Sequence, residues 1–133
     1  MNRVSTSATV VFVVLFALAA GAGCSSKYFR QAMSVAGEEA AYVAVRSALL
    51  KTGVKSADHI VDAVRLVADR KDYGGALAAF TQALEEHNVQ SADKLSSREV
   101  LSALRRAESP VRRASGRVAD ALAGFCSYAE AQN

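Results

Sequence analysis

The chain has 133 residues with 16 basic and 13 acidic side chains, room for one small domain and too little net charge to imply a polyanionic partner on its own. Hydrophobic residues make up 51%, yet aromatics only 7%, Trp is absent and Pro occurs once. Such an alanine-rich balance favours closely packed helices over sheets and leaves little room for a second domain.

The N-terminus reads as an export leader. Arg3 is the only charge ahead of VVFVVLFALAA, an eleven-residue run from Val10 to Ala20 without a polar side-chain atom. A membrane-spanning helix needs about 20 apolar residues, so this run suits the hydrophobic region of a cleaved signal better than a permanent span. Gly21, Ala22 and Gly23 follow, then Cys24, then Ser25 and Ser26.

Small residues directly before a cysteine that closes such a run resemble the lipobox of bacterial lipoproteins. The resemblance covers residues 1–26 and implies a signal peptide over 1–23, a diacylated Cys24 as the mature N-terminus, a short tether over 24–27 and one domain over 28–133. Two acyl chains anchor stably, since each buried methylene contributes about 0.8 kcal/mol. Ser25 and Ser26, in place of Asp, imply the outer membrane, facing the periplasm. Ala20-Gly21-Ala22 also fits the small-x-small pattern of the ordinary signal peptidase, which would release a soluble chain.

Beyond the leader the pattern is helical throughout. A first segment, roughly Tyr28 to Lys51, carries Gly37 in its middle and ends at Gly53, so it is one helix with a weak point or two short ones. Ser56 is the expected cap of a helix burying Ile60, Val64 and Val67. Asp72-Tyr73-Gly74-Gly75 reads as a turn, followed by a stripe of Leu77, Phe80 and Leu84 that stops at His87-Asn88. Ser96 and Glu99 form a capping box for a helix burying Val100, Leu104 and Ala107. Ser109-Pro110 is a second start signal, predicting a last helix with Val111, Ala114, Val118, Leu122 and Phe125 inward. No stretch sustains period-two alternation, so the expected fold is all-α, about four to six helices in a small bundle or a short array of hairpins.

A recurrence runs through these segments. VKSADHI from Val54 returns as VQSADKL from Val89, and a frame A-x-x-x-[VF]-x-x-A-L occurs at Ala41, Ala76 and Ala114. Residues 57–88, with Tyr73, Ala76, Phe80, Ala83 and Leu84 in matching places, resemble a tetratricopeptide-like helical hairpin. Ile60 and Val64 stand where that family prefers Trp and Gly. The resemblance implies a binding surface near His59, Asp62 and Arg65; a plain helical bundle fits the same pattern.

No catalytic constellation is visible. His59 and His87 are the only histidines and form neither H-E-x-x-H nor H-x-x-x-H, and no C-x-x-C exists, so metal and cofactor sites lack local support. Both histidines are expected at solvated helix edges or caps. Cys126 reads as a buried small hydrophobe, or, if Cys24 is not lipidated, as half of a Cys24–Cys126 bridge; an intermolecular bridge is a third option. One charge cluster stands out: Lys94, Arg98, Arg105, Arg106, Arg112, Arg113 and Arg117 against only Glu99 and Glu108. It is a solvated face or a contact for an acidic protein or anionic surface, and nucleic acid is not expected in an envelope compartment. The expected role is a non-enzymatic protein-binding or assembly module at the cell envelope. The alternative is a bundle that encloses lipid or haem, with Met33, His59 or His87 as ligands.

Overall fold

The computed structural model describes residues 26–132; the expected signal peptide and the lipidation site Cys24 lie outside them. The chain divides into two units, Met1–Ala36 and Gly37–Asn133. In the first, residues 26–36 are helical, with Met33 and Val35 exposed. The second holds the core. The helices are α1 (Ser26–Lys51), α2 (Ala57–Arg70), α3 (Tyr73–Gln90), α4 (Ser97–Ala114) and α5 (Gly116–Gln132), with no strand among the described residues. The fold is an all-α small bundle.

Each boundary has a local cause. Helix α1 ends where Gly53 takes φ +91°, a conformation that glycine adopts without a Cβ penalty. Ser56 is the N-cap residue of α2, but its side chain makes no capping hydrogen bond. Lys71, at φ 55°, closes α2 in the left-handed conformation: the Lys71 N–H donates to Val67 and the Asp72 N–H to Leu66. The Asp72-Tyr73-Gly74-Gly75 stretch is therefore not the turn. Asp72 caps α3 by accepting from the Gly75 N–H at 2.9 Å, and Tyr73 to Gly75 form the first helical turn. A Cβ on Gly75 would press on the Asp72 carboxylate, the mobile end of that side chain, which would have to shift within the cap.

The Ser96–Glu99 capping box is fully formed, with the Glu99 N–H donating to Ser96 Oγ and the Ser96 N–H to Glu99 Oε1. Ser109-Pro110, by contrast, starts nothing. Helix α4 runs through Pro110 to Ala114, because Pro110 lies one turn from the end and the carbonyl it deprives of a donor, that of Arg106, belongs to an exposed residue that water can reach. The actual break is Ser115, whose Oγ accepts from the Val118 N–H and whose own N–H donates to Val111.

Helix α5 packs against α2, α3 and α4, and α2 pairs with α3 as α4 pairs with α5. It buries Val118, Ala119, Ala121, Leu122, Phe125, Cys126 and Ala129. Phe125 meets Phe80 of α3 edge-on, with centroids 5.4 Å apart, and Tyr128 lies against Tyr73. Ile60, Val64 and Val67 face inward as expected, and Leu77 is only half-buried. The frame at Ala41 and the frame at Ala76 both lie on inward faces, whereas the third straddles the break at Ser115. The seven-residue recurrence does not fold alike: Ala57-Asp58-His59-Ile60 open α2, but Ala92-Asp93-Lys94-Leu95 form the loop before α4.

Gly37 does not divide α1, which is one helix from Ser26 to Lys51. A Cβ there would stand 2.5 Å from the Ala114 carbonyl oxygen, so the glycine admits the end of α4 against α1. Gly37→Ala gains about 1 kcal/mol of helix propensity but forces this crossing apart at about 1–3 kcal/mol. The expected outcome is a lower melting temperature by circular dichroism, where propensity alone would raise it.

Candidate interaction surface

The basic cluster of α4 and α5 divides into two rows. Arg105 donates to Glu130 and to Ser127 of α5, and Arg112 joins Glu108 on its own helix to Asp120 of α5. These two residues fasten α4 to α5. Arg117 does the same between other helices: its Nε donates to Glu38 of α1 at 2.6 Å, and its two terminal nitrogens to Asp69 and to the Ala68 carbonyl of α2. Hydrogen bonds to Glu38 first, and then to Asp69, hold its guanidinium well above its usual value, so Arg117 is a fixed cation.

Arg117 belongs to a polar seam along α1. Arg65 bonds Glu39 through both terminal nitrogens and lies 3.9 Å above the Tyr42 ring; Arg46 pairs with Asp58. The Tyr42 hydroxyl is buried without a protein partner among the described residues, and burial, followed by the charge of Asp69, raises its pKa. Because these ion pairs remain partly exposed, each contributes orientation more than stability.

Arg106 and Arg113 form the second row. Both are exposed, and among the described residues neither has an ion-pair partner. Arg113 lines a shallow depression with Glu108, Ser109 and Arg112. Arg106 lines a groove of about 450 Å³ between α1 and α4, floored by Ala44, Ala48, Ala103 and Ala107, where Lys51 is the only other charged residue. Of the five arginines singled out in the sequence, Arg105, Arg112 and Arg117 are engaged in contacts between helices and Arg106 and Arg113 are left facing solvent. Lys51 was not among them; it lies far away in sequence and only packing brings it beside Arg106.

The other candidates separate. His59 and Asp62 line a depression of about 310 Å³ between α2 and α3, together with Gln82 and Glu86; Arg65 is engaged with Glu39 instead. His87 is not at a solvated edge. It is 4% exposed, with Nε2 at 3.1 Å from the Asp93 carbonyl oxygen and Nδ1 lacking a partner among the described residues. Neighbouring Asn88 does not stop α3 either. Its amide donates to the Leu95 carbonyl and accepts from the Leu95 N–H, so the two residues latch the α3–α4 loop. His59 and His87 therefore serve different surroundings, and no group of three His, Cys, Asp or Glu residues suited to a metal occurs among the described residues.

Cys126 is wholly buried, as expected of a small hydrophobe. Burial pushes its thiol from 9.0 up to about 12, with the Arg105 charge opposing. Helix length and composition complete the geometry: no helix among the described residues is long and apolar enough to cross a membrane. Comparison with known proteins finds no match, whether to a family model, to a curated protein or to a solved structure.

The buried thiol gives a direct test of core integrity. At pH 8 the folded protein is expected to resist iodoacetamide at Cys126 and to react after unfolding, as read by intact mass. The folded thiol keeps its proton more tightly than the unfolded one, so its contribution to stability is full below about pH 9 and is lost as the pH rises toward about 12. Denaturant midpoints measured from pH 8 to 11 should fall accordingly.

Proposed function

We propose that this protein is a membrane-tethered lipoprotein of the cell envelope whose helical bundle is a non-enzymatic module binding an acidic segment of a partner protein. The observation that carries the reading is the groove between α1 and α4. Its floor is made of alanine side chains, which let a backbone or small side chain approach closely, and its two charged lining residues, Lys51 and Arg106, are both cations. Arg113, one heptad beyond Arg106 on α4, extends the row. A carboxylate side chain laid along the groove would meet donors that no in-chain acid already occupies, which is the electrostatic complementarity that gives an interface its specificity.

The tether follows from the leader. Small residues before Cys24 support lipidation there, and the helical domain that begins two residues later would then be held close to the bilayer. The acyl chains supply membrane affinity, leaving the groove for recognition.

Arg106→Glu with Arg113→Glu tests the groove. Binding to an envelope partner isolated by in-cell crosslinking is expected to fall at least tenfold and to lose its salt dependence, while Arg70→Glu, also exposed, leaves it unchanged. Equal binding by the groove variant would refute the reading. The tether has its own assay: palmitate label incorporated by the wild type and lost in Cys24→Ser supports the lipoprotein, and absence of label in both refutes that half.

A further inference from the structure

Helices α1 and α4 run antiparallel where they meet. Gly37 of α1 stands against the Ala114 carbonyl of α4, and later residues of α1, Ala44 and Ala48, share the groove with earlier residues of α4, Ala103 and Ala107. Each wall thus sets two alanines one helical turn apart along the groove. Beside the alanines stand the cations, Lys51 on the α1 wall and Arg106 on the α4 wall, with Arg113 seven residues further along α4.

On the reading of this groove as the seat of an acidic segment, we propose that the occupant is an α-helix of the partner protein, with acidic residues seven apart on one flank and small residues facing the alanines. Packed helices approach to about 8–10 Å between axes, the shorter distance where the contacting side chains are small. Alanines on both walls supply one half of that condition. Small residues on the occupant complete it, and its acidic row then lies against α4.

Two features favour a helix over an extended segment. Both walls are helical, so apart from the Arg106 carbonyl that Pro110 deprives of a donor their backbone groups are bonded within α1 and α4, and the Thr52 hydroxyl at one end already donates to the Ala48 carbonyl. An extended chain would find few partners here and would set part of its polar backbone against alanine side chains, whereas a helix satisfies its backbone internally. Spacing is the second feature. Arg106 and Arg113 lie about 10 Å apart along α4, and residues seven apart on a neighbouring helix have the same separation and share one face. In an extended chain about 10 Å is three residues, and residues three apart point to opposite faces. One face of a helix therefore meets both arginines, and one face of a strand meets a single arginine.

Three fluorescein-labelled peptides built from Ala, Gln and Glu, each about 20 residues long so that a helix can form in water, test this by fluorescence anisotropy. The first places its glutamates seven apart, the second has the same composition with the glutamates five apart and so on different faces, and the third is the first with a proline at its centre. Against the full chain, expressed with its native leader and held in mild detergent, the first is expected to bind at least tenfold more tightly than the other two. Arg106→Glu with Arg113→Glu should remove that preference, with an unchanged helical circular dichroism spectrum because both positions are exposed, and Arg70→Glu should keep it. Equal binding of all three peptides, lost in the double variant, overturns the helical occupant and leaves the groove as the seat of an acidic segment. Absence of peptide binding, while the crosslinked envelope partner still requires Arg106 and Arg113, overturns the helical occupant in the same way. If neither the peptides nor the partner depend on the two arginines, the groove itself is refuted as the site and the helical occupant falls with it.

Discussion

The bundle depends on the burial of α5. A helix of seventeen residues that encloses seven of them, on a face wide enough to meet three other helices, acts as the common wall of the core. Most of those residues are small or of medium size, so the neighbours come close and the one large side chain, Phe125, has to find its space in α3, against Phe80. Gly124 belongs to the same economy of space: a Cβ there would stand 3.0 Å from the Tyr73 hydroxyl, so the glycine lets that side chain lie close against α5. The direction of α5 is set in turn by Ser115, which ends α4 in an extended conformation and starts α5 with its own hydroxyl.

What was legible in the sequence is what has a short-range cause. The capping box at Ser96 and Glu99 lies three residues apart and forms as read. The inward stripe of Ile60, Val64 and Val67 is a property of one helix and needs no knowledge of its neighbours. Misleading signals were those with two local solutions. Asp followed by Gly-Gly can be a turn or an N-cap with its first turn, and the choice fell to Lys71, which took the left-handed conformation one residue earlier. Ser-Pro can open a helix or sit inside one, and the solvated end of α4 permitted the second. Identical Ser-Ala-Asp triplets begin a helix at Ser56 and a loop at Ser91: His87 and Asn88 hold the backbone of Asp93 and Leu95 in the second, whereas in the first Arg46 holds only the Asp58 side chain and leaves the backbone free to form helix.

The basic cluster shows the same limit in electrostatic form. Counting charges between Lys94 and Arg117 finds an excess, but apart from Glu108 and Asp120 at Arg112 the acids that answer it are distant: Glu38 is 79 residues from Arg117, Asp69 is 48, and Glu130 is 25 from Arg105. Folding spends three of the five arginines on helix–helix contacts. The remaining charge is smaller and differently placed from the excess in the sequence, because Lys51, brought in from α1, joins Arg106 over a groove floored by alanines.

Helix α1 differs from the others in how it is held. Its inner face contributes Tyr42, Val45 and Leu49 to the core, while its edges are tied by Glu38, Glu39 and Arg46 to Arg117, Arg65 and Asp58. The ties of Glu39 and Arg46 along one edge, with that of Glu38 beside Tyr42, fix the rotation of the helix, and with it the direction in which Val43 and Leu50 point. A helix with apolar residues on opposite sides gains its full hydrophobic stabilisation only when both sides are covered. The core covers one. The ion pairs that orient α1 therefore do two things at once: they seat Tyr42 and its neighbours inside, and they hold Val43 and Leu50 outside with Glu39 and Arg46 along their border.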